Sequence, residues 1–174
     1  MDLYILRHGL AGSREEWSGP DAERPLTNKG RSRSQAAARG LGLLGVAPEV
    51  ILTSPYLRAA ETAQLTAEVL GAPVLEVQEL EPGKLQQGYR PLLQRYADDS
   101  SLMLVGHEPD LSMCIGMLIA GSANARIDLK KGACALMRLD AVELTAKASV
   151  KDPVATLLWL LTARALSAIG HGEK

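Results

Sequence analysis

The sequence predicts an α/β fold, a three-layer α/β/α sandwich around a mostly parallel central sheet. Two observations carry that expectation. Short apolar runs alternate with longer helix-like segments for most of the length, the order that builds strand–helix–strand units. The 174 residues, 47% hydrophobic and 22% charged, suit one globular domain with a core of its own. No repeat, low-complexity tract or linker divides them, so a single domain over residues 1–174 is expected.

Taken in order, Leu3–Arg7 reads as a buried strand that stops at His8-Gly9. Residues 9–25 form a long polar loop, and loops of that length inside a compact domain are usually functional. Thr27 caps a helix from Asn28 to about Leu44, with Ala36, Ala37 and Leu41 facing the core. Val50–Thr53 is the next strand. Ser54-Pro55 then supplies a cap and first-turn pair for a helix to about Leu70. Val74–Val77 is a brief strand, residues 79–88 are irregular, and a helix over Arg90–Ala97 carries Pro91 in its first turn. Ser101–Val105 is a strand ending at Gly106-His107. Glu108-Pro109-Asp110 opens a helix to about Ala120, and Ala133–Leu139 alternates as a strand. By spacing alone, the tail allows a helix over Ala155–Ile169 or a final strand over Leu157–Leu161, and residues 141–152 stay open.

Composition excludes several functions. A net charge of −1 gives no long-range pull toward nucleic acid or an anionic membrane. Aromatics are scarce and Phe is absent, which argues against a base-stacking surface. Cys114 and Cys134 sit apart in apolar surroundings and read as buried thiols of a reducing cytosol. The N-terminus lacks the pattern of a signal peptide, and no apolar run reaches the ~18 residues of a membrane-spanning helix. A cytoplasmic protein is expected. The oligomeric state is open, with a monomer slightly favoured.

Three features fall at one topological place. Arg7-His8 ends the first strand, Arg58 lies in the first turn of the helix after the second, and His107 follows the strand ending at Val105. In an open parallel sheet, the crevice beyond the carboxyl ends of the strands is where ligands bind. Arginine forks match phosphate oxygens, and neighbouring positive charge keeps an imidazole neutral and nucleophilic. Gly9 allows a close backbone approach that supplies a carbonyl to the imidazole or room for the anion. Each residue also has a plain reading: His8 as a satisfied strand-end polar group, Arg58 as a surface charge or partner of Glu61, His107 as half of a surface pair with Glu108. Their coincidence at one edge favours the site.

Arg7-His8-Gly9, Ser54-Pro55-Tyr56-Leu57-Arg58-Ala59-Ala60-Glu61-Thr62 and Gly106-His107 resemble the histidine phosphatase superfamily, which includes the phosphoglycerate mutases. Residues 24–30, Leu80-Glu81-Pro82-Gly83 and Val105-Gly106-His107-Glu108-Pro109 narrow the likeness to its small SixA-type phosphohistidine phosphatases, from residue 2 to about 139. The resemblance implies a phosphoglycerate mutase-like fold with Leu157–Leu161 as a strand. It implies His8 as nucleophile, and Arg7, Arg58 and His107 as the phosphate pocket, with His107 protonated when phosphate is bound. No metal and no cofactor are implied, and His8, His107 and His171 lack zinc-ligand spacing. The implied substrate is a protein carrying phosphohistidine, as in phosphorelay or phosphotransfer domains. The alternatives are a broad small-molecule phosphomonoesterase and a non-catalytic phosphoprotein binder.

The sequence departs from the family at the general acid. Larger relatives carry a glutamate after a leucine; here Glu79 and Glu81 flank Leu80, and Glu81 is the candidate, with a plain loop carboxylate as the other reading. An imidazole leaving group, whose conjugate acid has a pKa of about 6.5, needs less proton donation than an alkoxide. A loosely defined acid therefore suits phosphohistidine.

Two further patterns invite over-reading. Gly40-Leu41-Gly42-Leu43-Leu44-Gly45 spells a dinucleotide fingerprint but ends a helix instead of opening one, so it reads as a helix terminus. Arg31, Arg33 and Arg39 give the first helix a basic end, either solvated surface or a docking patch for an acidic phosphoprotein.

Overall fold

A computed structural model describes residues 1–140, 144 and 154–171. Six strands form one sheet in the order β3-β2-β4-β1-β5-β6. They are β1 (Asp2–Arg7), β2 (Val50–Thr53), β3 (Val74–Glu76), β4 (Ser101–Gly106), β5 (Cys134–Leu139) and β6 (Ala155–Leu161). Strands β3, β2, β4 and β1 pair in parallel, while β5 is antiparallel to both β1 and β6. Among the described strands only β5 runs against the rest, so the sheet is mostly parallel.

Alternation along the strands makes two cores. Leu3 and Ile5 of β1, Leu52 of β2, and Leu102 and Leu104 of β4 face one side. Tyr4, Leu6, Ile51, Met103 and Val105 face the other. Helices α3 (Leu85–Gln94) and α4 (Asp110–Ala120) cover the first face through Leu85, Tyr89, Leu92, Leu93, Leu111 and Ile115. Helices α1 (Asn28–Leu43), α2 (Leu57–Leu70) and α5 (Ala163–His171) cover the second through Ala37, Leu41, Ala59, Ala63 and Leu166. The result is the three-layer sandwich. Among the described residues no helix is long and apolar enough to cross a membrane.

Local chemistry sets the ends of the helices. The Thr27 hydroxyl accepts from the Gly30 N–H at 2.9 Å and opens α1 as its sequence predicts. Gly45 closes the turn after α1 at φ 75°, consistent with a helix terminus. Gly40 has a separate constraint: a Cβ there would lie 2.0 Å from the Leu166 carbonyl oxygen, because α5 crosses α1 at that point.

Three expectations need correction. Helix α2 starts at Leu57, with Tyr56 as its N-cap and no side-chain cap bond, so Ser54-Pro55 precedes the helix. Helix α3 starts at Leu85 and holds Pro91 in its interior. Leu85, Tyr89, Leu92 and Leu93 repeat at helical spacing, and burying four large side chains at ~1.5–3 kcal/mol each outweighs the ~3 kcal/mol cost of the proline. In the tail, the strand that the resemblance implies over Leu157–Leu161 is present as β6, but it is followed by a separate closing helix, α5, which the sequence reading lacks. The open segment 141–152, apart from residue 144, lies outside the described residues.

Candidate active site

Neighbouring strands β2, β4 and β1 end side by side, and each delivers part of the site. The His8 N–H donates to the Gly106 carbonyl at 3.0 Å, and the Ser54 N–H donates to the Val105 carbonyl at 3.0 Å. These bonds lock the three carboxyl ends together. The rings of His8 and His107 consequently stand 5.1 Å apart, centroid to centroid, with both residues buried. Tyr56 meets the far side of His107 edge-on at 5.3 Å.

His8 Nδ1 lies 2.7 Å from the carbonyl oxygen of Gly9. A carbonyl only accepts, so Nδ1 carries the proton and Nε2 keeps its lone pair. Gly9 is confined as well: a Cβ would come within 2.3 Å of Ser34 Oγ. Its N–H donates to Thr62 Oγ1 at 3.0 Å, and that hydroxyl donates onward to the Arg58 carbonyl at 2.7 Å. Thr62 thus ties the end of β1 to the first turn of α2. His107 Nε2 is 2.9 Å from Ser54 Oγ, and its buried Nδ1 has no protein partner among the described residues. Ser54, expected as a cap, holds the second imidazole.

Both arginines are anchored. Arg7 Nη1 donates to the Leu129 carbonyl at 2.9 Å. Arg58 donates to Asp21 twice, to its carbonyl at 2.8 Å and to Oδ2 at 3.1 Å, and its guanidinium lies 5.1 Å from the centre of the Tyr56 ring. Glu61, the sequence-level alternative for Arg58, instead binds Arg31 and accepts from the Leu26 N–H at 2.8 Å. The buried Nε atoms of Arg7 and Arg58 have no protein partner among the described residues.

Electrostatics follow from this crowding. Burial first, then His107, Arg58 and Arg7, push His8 down to about 3, against the opposing Gly9 bond. Burial, then Arg58 and Arg7, push His107 to about 3 as well, with Asp21 opposing. Both imidazoles are therefore neutral at neutral pH in the ligand-free protein. Burial raises Asp21, but hydrogen bonds from Arg14 and Arg24 and the charge of Arg58 outweigh it and hold the carboxyl at about 2.

The geometry brings together Arg7, His8, Gly9, Arg58 and His107. Glu81 ion-pairs with Lys84 at 3.0 Å, on a turn whose Gly83 N–H donates to Asp110 at the start of α4. Glu79 is turned to Arg95 at 2.7 Å. Sequence reasoning missed Asp21, Thr62 and the role of Ser54. Thr62 ends the quoted motif, whereas nothing local marks Asp21, which meets Arg58 across 37 residues.

A profile of the histidine phosphatase superfamily (branch 1) matches residues 3–99. An uncharacterized protein of Picosynechococcus sp. is 38% identical over 149 residues, 84% of this chain and 90% of that protein. Phosphohistidine phosphatase SixA of Escherichia coli is 36% identical over 73 residues, 42% of this chain and 44% of that protein. The solved structure of the protein histidine phosphatase SixA complexed with tungstate superposes with a TM-score of 0.80 at 25% identity, covering 95% of this chain and 99% of that one.

Proposed function

This chain belongs to the histidine phosphatase superfamily, and from that premise we propose that it removes phosphoryl groups from histidine side chains of phosphorelay or phosphotransfer proteins. The observation that carries the mechanism is the His8 Nδ1–Gly9 carbonyl contact, which leaves Nε2 free beside two arginines. In the first step the Nε2 lone pair attacks phosphorus, and the bond from phosphorus to the substrate imidazole breaks. The leaving imidazole takes a proton, for which Glu81 is the candidate donor. In the second step water attacks the phosphoryl group on His8, releasing inorganic phosphate and neutral imidazole. Arg7, Arg58, the His107 Nδ1–H and the Gly9 backbone form the pocket for the equatorial oxygens, where the transferring group carries its charge. A bound dianion reverses the local field, so His107 takes up a proton as phosphate enters.

The substrate follows from the leaving group. Glu81 is shared with Lys84, and Glu79 is engaged by Arg95, so neither carboxyl is a dedicated acid in the free protein. An imidazole departs without a strong acid, whereas an alkoxide does not. The chemistry needs neither metal nor organic cofactor. We further propose that residues 1–174 form one domain and that the protein works in the cytoplasm, in keeping with Cys114 and Cys134, both buried and unbridged.

Competition between a phosphorylated histidine-phosphotransfer domain and a panel of small phosphate esters tests the reading. Phosphohistidine is expected to have the higher kcat/KM. Faster turnover of the small esters would assign a broad phosphomonoesterase instead.

A further inference from the structure

The basic end of α1 divides on inspection. Arg31 is paired with Glu61, whereas Arg33 and Arg39 point elsewhere, into an open groove between α1 and α5. Arg164, Ser32, Ser167 and His171 also line that groove, and none of the described residues that line it is a carboxylate. Among the described residues, seven cationic side chains besides Arg31 form ion pairs, Arg14, Arg24, Arg95 and Arg138 among them. Arg33, Arg39 and Arg164 form no hydrogen bond or ion pair among the described residues. In a chain with a net charge of −1, three unpaired guanidinium groups in one groove are a local excess with an energetic cost.

The loop that carries Lys131 lies between the site and Ala163, a residue that lines the groove. Leu129 accepts from Arg7, and the Gly132 N–H donates to the carbonyls of Arg7 and His8 at 3.1 Å each, so Lys131 stands in a loop bonded on both sides to the nucleophile segment. Its ammonium lies within electrostatic range of Arg7, Arg24 and Arg58 and also has no partner among the described residues. On the other side, a Cβ on Gly132 would lie 3.0 Å from the Ala163 Cβ, and Arg164 is the next residue. Among the described residues, four cations without a partner therefore flank this junction: Lys131 on the loop bonded to the nucleophile segment, and Arg164, Arg33 and Arg39 in the groove.

We propose that this track docks an acidic surface flanking the phosphorylated histidine of the protein substrate. The inference rests on the phosphohistidine reading and names what the substrate must carry: carboxylates displaced to the α1–α5 side of its phosphoryl group. Such complementarity acts mainly on encounter rate and orientation, and it is screened by salt. Small phosphate esters reach only the pocket and are indifferent to the groove.

The test uses two peptides of about a dozen residues, long enough at ~3.3 Å per residue to reach the groove from the pocket. Each carries one phosphohistidine, flanked by Glu in one and by Gln in the other. The wild-type protein is expected to show a KM about fivefold lower for the acidic peptide, with the gap closing at high salt. Arg33→Glu combined with Arg164→Glu removes the preference, and the neutral Gln pair removes part of it. Both leave para-nitrophenyl phosphate turnover within about twofold. Equal KM values for the two peptides in the wild type, or a preference that survives charge reversal, would overturn the track. If neither phosphopeptide is hydrolysed, the substrate reading fails. Fluorescence anisotropy of the unphosphorylated peptides then still reads the track: the acidic one must bind the wild type more tightly than the reversed variant, and equal binding rejects docking.

Discussion

Asp21 and Arg58 meet across the mouth of the site, the carboxylate Oδ2 3.1 Å from Nη2, while Oδ1 holds Arg14 and Arg24 at 2.8 and 2.9 Å. One anion therefore orients a pocket arginine and two loop arginines. It also masks positive charge that a phosphoryl group would use.

These two roles predict a split in Asp21→Ala. Losing the mask strengthens ground-state attraction for an anion, so KM for para-nitrophenyl phosphate does not rise. Losing the anchor loosens Arg58 where transition-state charge develops, so kcat falls about tenfold. Steady-state kinetics on a small ester read both numbers. A raised KM with unchanged kcat would mean that Asp21 only assists binding.

Asp21 also predicts an acid limb of stability. Its folded carboxyl titrates at about 2, below the ordinary 3.8. The ion pairs therefore stabilise the fold in full above the ordinary value, and the contribution disappears as pH falls through about 2. Asp21→Asn flattens that limb of the acid-unfolding curve, followed by circular dichroism.

His8 and His107 act at higher pH. Each imidazole is pushed from 6.5 to about 3 in the folded chain, so the unfolded chain binds more protons throughout that window. Stability thus declines as pH drops below about 6.5, by up to ~1.4 kcal/mol per pH unit for each histidine. Urea midpoints at pH 7 and pH 5 check this, and His107→Ala should show a shallower decline than the wild type. A wild-type midpoint unchanged between those pH values would show that the imidazoles do not stay neutral.

Much of this site was legible because its residues sit where apolar runs stop. Leu3–Arg7, Val50–Thr53 and Ser101–Val105 are short strands with clear ends, and parallel pairing aligns those ends. The partners that aim the candidate catalytic groups were not legible. Asp21 opens a one-turn 3-10 helix, Asp21–Glu23, within the long polar segment, where no periodicity predicts a contact 37 residues away. Ser54 carried a cap signal and spends its hydroxyl on His107 and the Tyr56 N–H instead. Helix α3 was misplaced because Pro91 suggested a start, while the buried stripe that outweighs it begins at Leu85.

Glu81 yields a prediction that depends on the leaving group. Glu81→Gln should lower kcat for an alkyl phosphate about a hundredfold and for phosphohistidine less than about fivefold. The contrast between substrates is the readout. Equal losses on both would make Glu81 a structural residue of its turn.

The proposed mechanism carries phosphorus through a bond to His8. Wild-type protein quenched in alkali during turnover of a labelled substrate should carry a phosphoryl group that is stable in base and released in acid. Mass spectrometry should map it to His8. His8→Ala should lack the label and lose about a thousandfold or more in kcat. Rapid hydrolysis with no such label, or a label on any other residue, would exclude His8 as the nucleophile.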